Sequence, residues 1–248
     1  MTNQEPKTDS SLITAGDATS TCWSCGDMRA AHFCSACGKV QPPLPADYFT
    51  FFALPRKLNL NLATLEKEFY ELSRHLHPDL SARFDKREQE WSLEKTSQLN
   101  DAYRTLKDPI RRTEYLLRLE GVELEEQSKS ATDKARVTGA LKKQVVPPAL
   151  LEEVFELNMQ LEEMRANKKL GGSDPALARE LERHKAELET KLGGLFAELQ
   201  QYWNEWDRLV DDGHEEERRK VRDQMVDLLN RRNYLRNLVR DVNEVLES

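Results

Sequence analysis

Four cysteines form the densest cluster of reactive side chains in the chain, at Cys22, Cys25, Cys34 and Cys37. They make two Cys-x-x-Cys-Gly pairs, and a two-residue spacer lets both thiolates of a pair reach one ion at about 2.3 Å. Two such pairs complete a tetrahedron of sulfurs with no open position, which predicts a structural Zn²⁺ site. A dithiol redox pair, a disulfide pair and an iron site remain as alternatives. His32 lies between the pairs and is left out, because four thiolates already saturate the ion.

A second motif is His77-Pro78-Asp79, which stands where an amphipathic helical pattern stops. Proline lacks an amide proton and disfavours helical geometry in the residue before it. Asp79 can accept charge-assisted hydrogen bonds from a basic residue of a partner, and His77 can orient the loop. The structural alternative is that the three residues only end a helix and cap a turn. No nucleophile or glycine-rich phosphate loop lies nearby in sequence, so we do not expect an enzyme.

Two amphipathic helices are predicted to position this tripeptide. Apolar residues recur at spacings of three and four from Leu62 to Leu76, and a mostly apolar stripe runs from Trp91 to Leu106. Such helices on either side of a polar loop indicate an antiparallel hairpin. The apolar segment Tyr48 to Leu54 is expected to pack across the pair. A further short helix after Asp108-Pro109 should end at Gly121.

Composition excludes several classes of protein. No run of the 248 residues approaches the ~18 consecutive apolar residues of a membrane span, so no membrane association is expected. The net charge of −7 mixes acidic and basic residues throughout, which argues against a broad nucleic-acid-binding face and leaves a local basic patch open. Residues 1–20 contain one Lys, no Arg and no apolar block. They resemble neither a secretory signal nor an Arg-rich mitochondrial presequence, and a disordered tail is expected.

The second half of the chain returns to helical patterning in three pieces. The first ends near Gly171-Gly172, the second opens at the capping pair Asp174-Pro175, and Gly213 ends the second. Gly193-Gly194 should weaken or bend the second helix. Three amphipathic helices can bury their stripes only against one another, which predicts a three-helix bundle.

The predicted fold class is therefore all-α, with a helical hairpin and a C-terminal three-helix bundle preceded by a small four-cysteine zinc-binding module. The expected organisation is a tail at 1–20, the cysteine module at 21–40, the hairpin domain at 47–121, a connector at 122–146 and the bundle at 147–248.

The hairpin with its tripeptide resembles the J-domain family, and the flanking motifs are similar to its HscB branch. These motifs are Asp47-Tyr48-Phe49, the run Leu99 to Leu106, and the run Asp108 to Gly121. The resemblance covers Asp47 to the end of the chain, mainly by architecture after Gly121. The cysteine pairs are similar to those of the animal mitochondrial members.

This resemblance implies two protein partners. In J-domains the tripeptide contacts the ATPase domain of a DnaK-type chaperone and couples substrate delivery to hydrolysis. In the HscB family the bundle holds the iron–sulfur cluster scaffold protein. The residues implied in chaperone binding are His77, Pro78, Asp79, Lys67, Arg74, Lys86 and Arg87. The helix before the loop also carries acidic residues, so electrostatic steering is expected to be weaker than is usual for a J-domain.

The family's scaffold-binding face lies on the first bundle helix and on an aromatic residue of the last. The resemblance places this face at Leu151, Phe155, Glu156, Met159, Glu163 and Tyr234. Spacings of four put Leu151, Phe155 and Met159 on one helical stripe. The alternative is that the apolar members, Tyr234 among them, belong to the core of the bundle.

We therefore expect a non-enzymatic co-chaperone that stimulates a DnaK-type ATPase and delivers the iron–sulfur scaffold for cluster transfer. The alternatives are a J-domain protein with a different client, and a zinc-ribbon nucleic-acid or redox module on a helical domain. The expected location is the mitochondrial matrix, with the cytoplasm as the alternative. Homo-oligomerisation is left open.

Overall fold

A computed structural model describes residues 21–27, 32–43, 45–76, 85–122 and 151–247, apart from the side chains of Leu151 and Glu153. Within these ranges the chain forms α1 (Tyr48–Phe51), α2 (Leu62–Leu76), α3 (Lys86–Lys107), α4 (Pro109–Leu119), α5 (Leu151–Lys169), α6 (Pro175–Asp212) and α7 (Glu215–Glu247). The β pairing in the described part of the chain is one isolated bridge between Phe33 and Val40. The predicted all-α fold is confirmed. The expected tail at 1–20 lies outside the described residues, as does almost all of the connector.

The helices α2 and α3 pack against each other as the predicted hairpin. The Ser92 hydroxyl donates to the carbonyl of Leu76 at 3.0 Å, and the Tyr103 hydroxyl lies 3.0 Å from a carboxylate oxygen of Glu66. The end of α2 therefore meets the first half of α3, while the start of α2 meets the last turn of α3, which makes the pair antiparallel. The side chains buried within the hairpin include Leu65, Leu76, Leu99, Ala102 and Leu106.

Side-chain caps begin several of these helices. Asp47 caps α1 by accepting from the amide of Thr50, and Asp85 caps α3. Asp174 caps α6 through the amides of Ala176 and Leu177, with a proline at the first helical position, as the sequence predicts. These hydrogen bonds satisfy amide groups that have no partner inside the helix.

The helices α5, α6 and α7 form the predicted three-helix bundle, and each one packs against the other two. Its buried apolar side chains include Leu157, Leu161, Leu181, Leu199, Trp203, Trp206, Met225, Leu229, Leu235 and Val242. Gly213 ends α6 with a φ of 75°, a left-handed conformation that glycine adopts without strain. The helix α6 passes through Gly193 and Gly194 without interruption, since buried Leu188 and Leu195 anchor it on either side.

The chain divides into two compact units, Met1–Tyr115 and Leu116–Ser248. The division falls inside α4, before Gly121, where the J-domain is expected to end. The cysteine module belongs to the first unit and contacts the hairpin directly. No helix in the described part of the chain is long and apolar enough to cross a membrane.

Candidate functional site

The four cysteine sulfurs form one cluster in which all ligand atoms lie within 4.8 Å of one another. Cys22 Sγ lies 3.7 Å from Cys37 Sγ, and Cys25 Sγ lies 3.6 Å from Cys34 Sγ. Sulfurs at the corners of a tetrahedron with metal bonds of 2.3 Å are about 3.8 Å apart. A disulfide would need about 2.05 Å, and all four thiols are free. The geometry fits one metal ion and excludes the disulfide alternative in this conformation.

Each cysteine pair sits on the same backbone turn, and we call residues 22–26 the first knuckle and residues 34–38 the second knuckle. The amide of Gly26 donates to the carbonyl of Cys22 at 3.0 Å, and that of Gly38 to Cys34 at 2.8 Å. Both glycines have a positive φ, 78° and 71°, which a residue with a side chain adopts only with strain. The glycine after each second cysteine is therefore required by the turn that presents the sulfurs.

Polar groups around the sulfurs shift the pKa values of the thiols of Cys22 and Cys25 in opposite directions. Burial alone would raise the pKa of Cys22, but hydrogen bonds from the amides of Cys25 and Ser24 and from the Gln41 side chain lower it to about 6. For Cys25 the amide of Asp27 acts to lower the pKa, yet the neighbouring thiols and burial raise it to about 12. These hydrogen bonds favour the thiolate form of Cys22, which is the form that binds a metal and also the form that reacts.

His32 does not join the cluster, in agreement with its exclusion from the ligand set. Its Nε2 lies 2.9 Å from the carbonyl oxygen of Phe51. The imidazole ring of His32 also contacts the phenyl ring of Phe51, with the ring centroids 4.4 Å apart. Burial lowers the pKa of His32. His32 therefore packs the cysteine module against Phe51, the last residue of α1.

Sequence reasoning missed a buried carboxylate between the cysteine module and α3. Glu88 is fully buried, and its carboxylate accepts hydrogen bonds from Lys39 Nζ at 2.6 Å and from the amide of Val40 at 3.1 Å. Glu88 also closes a capping box with Asp85. The spacing Asp85-x-x-Glu88 is a recognisable capping signature, so half of this role was detectable from sequence. The bond to Lys39 was not, because it joins residues far apart in the chain.

The residues implied in chaperone binding divide between described and undescribed parts of the chain. His77, Pro78 and Asp79 lie outside the described residues, in the segment 77–84 between α2 and α3. The described basic side chains implied in chaperone binding are exposed and lie on the two helices that flank this segment. They are Lys67 and Arg74 on α2, and Lys86 and Arg87 on α3.

The residues implied in scaffold binding differ in how much of each side chain is exposed. Phe155 is 68% exposed and Met159 is 60% exposed, and both lie on α5, as do exposed Glu156 and Glu163. Leu151 begins α5, and its side chain lies outside the description. Tyr234 is only 5% exposed and is flanked by buried Asn233 and Leu235. Tyr234 therefore packs inside the bundle, which favours the core alternative for this residue, and the members of the proposed face that are described as exposed lie on α5.

Comparisons with known proteins agree with this architecture. The chain is 30% identical over 155 residues to the Arabidopsis thaliana iron-sulfur cluster co-chaperone protein HscB homolog, covering 62% of this chain and 56% of that protein. It is 31% identical over 150 residues to the Vibrio vulnificus co-chaperone protein HscB homolog, covering 59% of this chain and 80% of that protein. The fold matches the crystal structure of human co-chaperone protein HscB with a TM-score of 0.57 and 22% identity, over 91% of this chain and 98% of that one. No family model matches.

The hairpin, the bundle and these similarities define one class of protein, and the chain belongs to the HscB family of co-chaperones. The sequence-based recognition of that family is confirmed. The chain spans less than two thirds of the length of the Arabidopsis relative, at 56%.

Proposed function

We propose that this protein is a co-chaperone that stimulates the ATPase of a DnaK-type chaperone and delivers the iron–sulfur cluster scaffold protein to it. The observation that carries the proposal is an antiparallel hairpin with His77-Pro78-Asp79 in the segment between its helices, in a chain of the HscB family. The client is then the scaffold, and cluster transfer follows when hydrolysis locks the chaperone on it.

On the chaperone side, the tripeptide supplies the contact that triggers hydrolysis, and the flanking basic residues steer the encounter. Lys67 pairs with Glu71 at 3.9 Å, and Arg74 donates to the carbonyl of Tyr70 at 3.3 Å. Both side chains remain exposed, so each can exchange its local partner for an acidic group on the chaperone. Because Glu66, Glu68 and Glu71 lie on α2 with these basic residues, the steering is expected to be weaker than is usual for a J-domain.

On the scaffold side, exposed apolar side chains on α5 supply the contact. Phe155 and Met159 are four residues apart and therefore lie one above the other on the helix surface. Leu151 continues this stripe by its spacing, and Glu156 and Glu163 provide a polar rim. Exposed apolar side chains that adjoin one another and are rimmed by charge mark interaction sites more often than isolated ones do, which supports this face.

The cysteine module would hold a structural Zn²⁺ through Cys22, Cys25, Cys34 and Cys37. Its chemical contribution is a cross-link between the two knuckles, since four thiolates leave no coordination position for a substrate. The approach of sulfurs from different pairs, with all four within 4.8 Å of one another, supports this assignment over a redox pair, which would need only two of them. The protein is not expected to be an enzyme or to bind nucleic acid.

The mitochondrial matrix is the proposed location, supported by the resemblance of the cysteine pairs to those of animal mitochondrial members. The cytoplasm is the alternative.

A co-purification experiment tests the proposal. The tagged chain is isolated from extract of its source cells, and the bound proteins are identified by mass spectrometry. We expect both a DnaK-type chaperone and the iron–sulfur scaffold. Recovery of the chaperone with a different client would replace the scaffold assignment, and recovery of neither would refute the proposal.

A further inference from the structure

The carboxylate of Glu88 joins two structures that are distant in sequence. It accepts from Lys39 Nζ and from the amide of Val40, in the chain directly after the second knuckle. The same carboxylate lies 3.4 Å from the amide of Asp85, the residue that caps α3. The buried carboxylate of Glu88 therefore links the cysteine module to the start of α3, the helix that follows the segment 77–84.

Aromatic side chains beside the cysteines reach both helices that flank 77–84. In the first knuckle, Trp23 packs edge-to-face on Trp91 of α3, with centroids 5.6 Å apart. The guanidinium of Arg87 lies 5.9 Å from the centroid of each of these rings. Phe33, beside the second knuckle, contacts the ring of His75 at the end of α2, at 5.5 Å. The cysteine module therefore contacts the last turn of α2, before the segment 77–84, as well as the first turns of α3, after it.

A third contact fixes the module further along α3. The Nζ of Lys95 donates to the carbonyl oxygen of His32 at 3.2 Å, and the Lys95 side chain is buried. Its position two turns after Glu88 means that the module follows the first half of α3 rather than touching it at one point. The module is therefore held against α3 at several points along two helical turns.

We propose that the cysteine module sets the position of the two helix ends around 77–84, and that Glu88 is the positioning residue that couples metal binding to chaperone stimulation. This inference rests on the proposed function of His77-Pro78-Asp79. Coupling between two sites is reciprocal. Metal binding should order the start of α3, and loss of the Glu88 contacts should weaken metal binding.

The test uses the full chain with Zn²⁺ and compares Glu88→Gln with Glu90→Gln, an exposed glutamate on the same helix. Zinc affinity is measured by competition with a chelator, and hydrogen exchange of the amides of residues 85–95 is measured by mass spectrometry. The ATPase rate of the chaperone is measured as a function of the concentration of this protein. For Glu88→Gln we expect zinc affinity to fall about fivefold and the half-stimulating concentration to rise about fivefold. The maximal stimulated rate should stay within twofold, because the tripeptide is unchanged. Glu90→Gln should match the parent in all three measurements.

Two further measurements guard against a variant that fails to fold. Lys39→Met removes the ion pair with Glu88 but leaves the capping box intact. It should lower zinc affinity and raise amide exchange over 85–95, each by a smaller factor than Glu88→Gln does. Zinc removal from the parent needs no substitution, and it should raise exchange over 85–95.

Unchanged exchange and an unchanged half-stimulating concentration after zinc removal would overturn the inference and leave the proposed function intact. A parent protein that stimulates no DnaK-type chaperone would instead refute the proposed function, whatever the exchange data show. In that case the chaperone part of this inference is refuted with it.

Discussion

The exposed stripe on α5 leads to a prediction that separates binding from folding. Replacement of both Phe155 and Met159 by alanine removes side chains that are 68% and 60% exposed, so little buried surface is lost. The free energy of unfolding should change by less than about 0.5 kcal/mol per site, as is usual for exposed positions. If the two side chains are the apolar anchors of the scaffold interface, their truncation should cost at least about 2 kcal/mol of binding free energy. That loss is about thirtyfold in Kd.

The assay is isothermal titration calorimetry with the purified scaffold protein, accompanied by urea unfolding of each variant. The matched control is Leu157→Ala on the same helix, where the side chain is only 2% exposed. Loss of this buried leucine should reduce the free energy of unfolding by about 2–5 kcal/mol. As long as the control remains folded, its Kd should stay close to that of the parent.

An unchanged Kd for the Phe155→Ala, Met159→Ala variant would refute the reasoning, since exposure alone would then not identify the interface. A large loss of stability in the same variant would also contradict it. That result would mean that these side chains pack against the protein.

Three further predictions concern stability. Removal of the metal with a chelator should lower the melting temperature of the first unit and leave that of the bundle unchanged, which calorimetry can resolve as two transitions. Burial alone would raise the pKa of Asp47, but the amide of Thr50 and the guanidinium of Arg56 lower it overall. The stability from this carboxylate is therefore present above its unfolded pKa of about 3.9 and is lost as the pH falls through its lower folded value. Asp47→Asn should reduce stability at pH 7 and approach the parent in acid unfolding curves; a constant difference at every pH would contradict this. Finally, an added Cβ at Gly193 or Gly194 meets no atom within 4 Å, so changing both to alanine should stabilise the bundle by about 1–2 kcal/mol in urea unfolding. A destabilised double variant would show that a glycine is needed there.

Much of the fold was predictable because its determinants are local. Periodic apolar residues define the helices of the hairpin and bundle, and Asp174 and Gly213 mark the ends of α6. The cysteine cluster was predictable from spacing alone, since two short pairs can meet at one ion.

What sequence reasoning missed depends on contacts between distant residues. Glu88 is an acidic residue on a charged helix, and its burial becomes visible only when Lys39 and Val40 are brought to it in space. Tyr234 was assigned to the scaffold-binding face by family resemblance, with the core of the bundle as the alternative. The packing of α7 buries three consecutive side chains, 233–235, which favours the core. Tertiary packing decides both cases, and the local sequence pattern indicates only the capping role of Glu88.

The central claim is that His77-Pro78-Asp79 triggers hydrolysis by a DnaK-type chaperone on behalf of the scaffold. The most direct measurement is single-turnover ATP hydrolysis by that chaperone in the presence of the scaffold, with the parent protein and with His77→Gln. The parent should accelerate hydrolysis, and His77→Gln should return it to the unstimulated rate while binding the scaffold with the same Kd. Equal stimulation by the two proteins would contradict the claim.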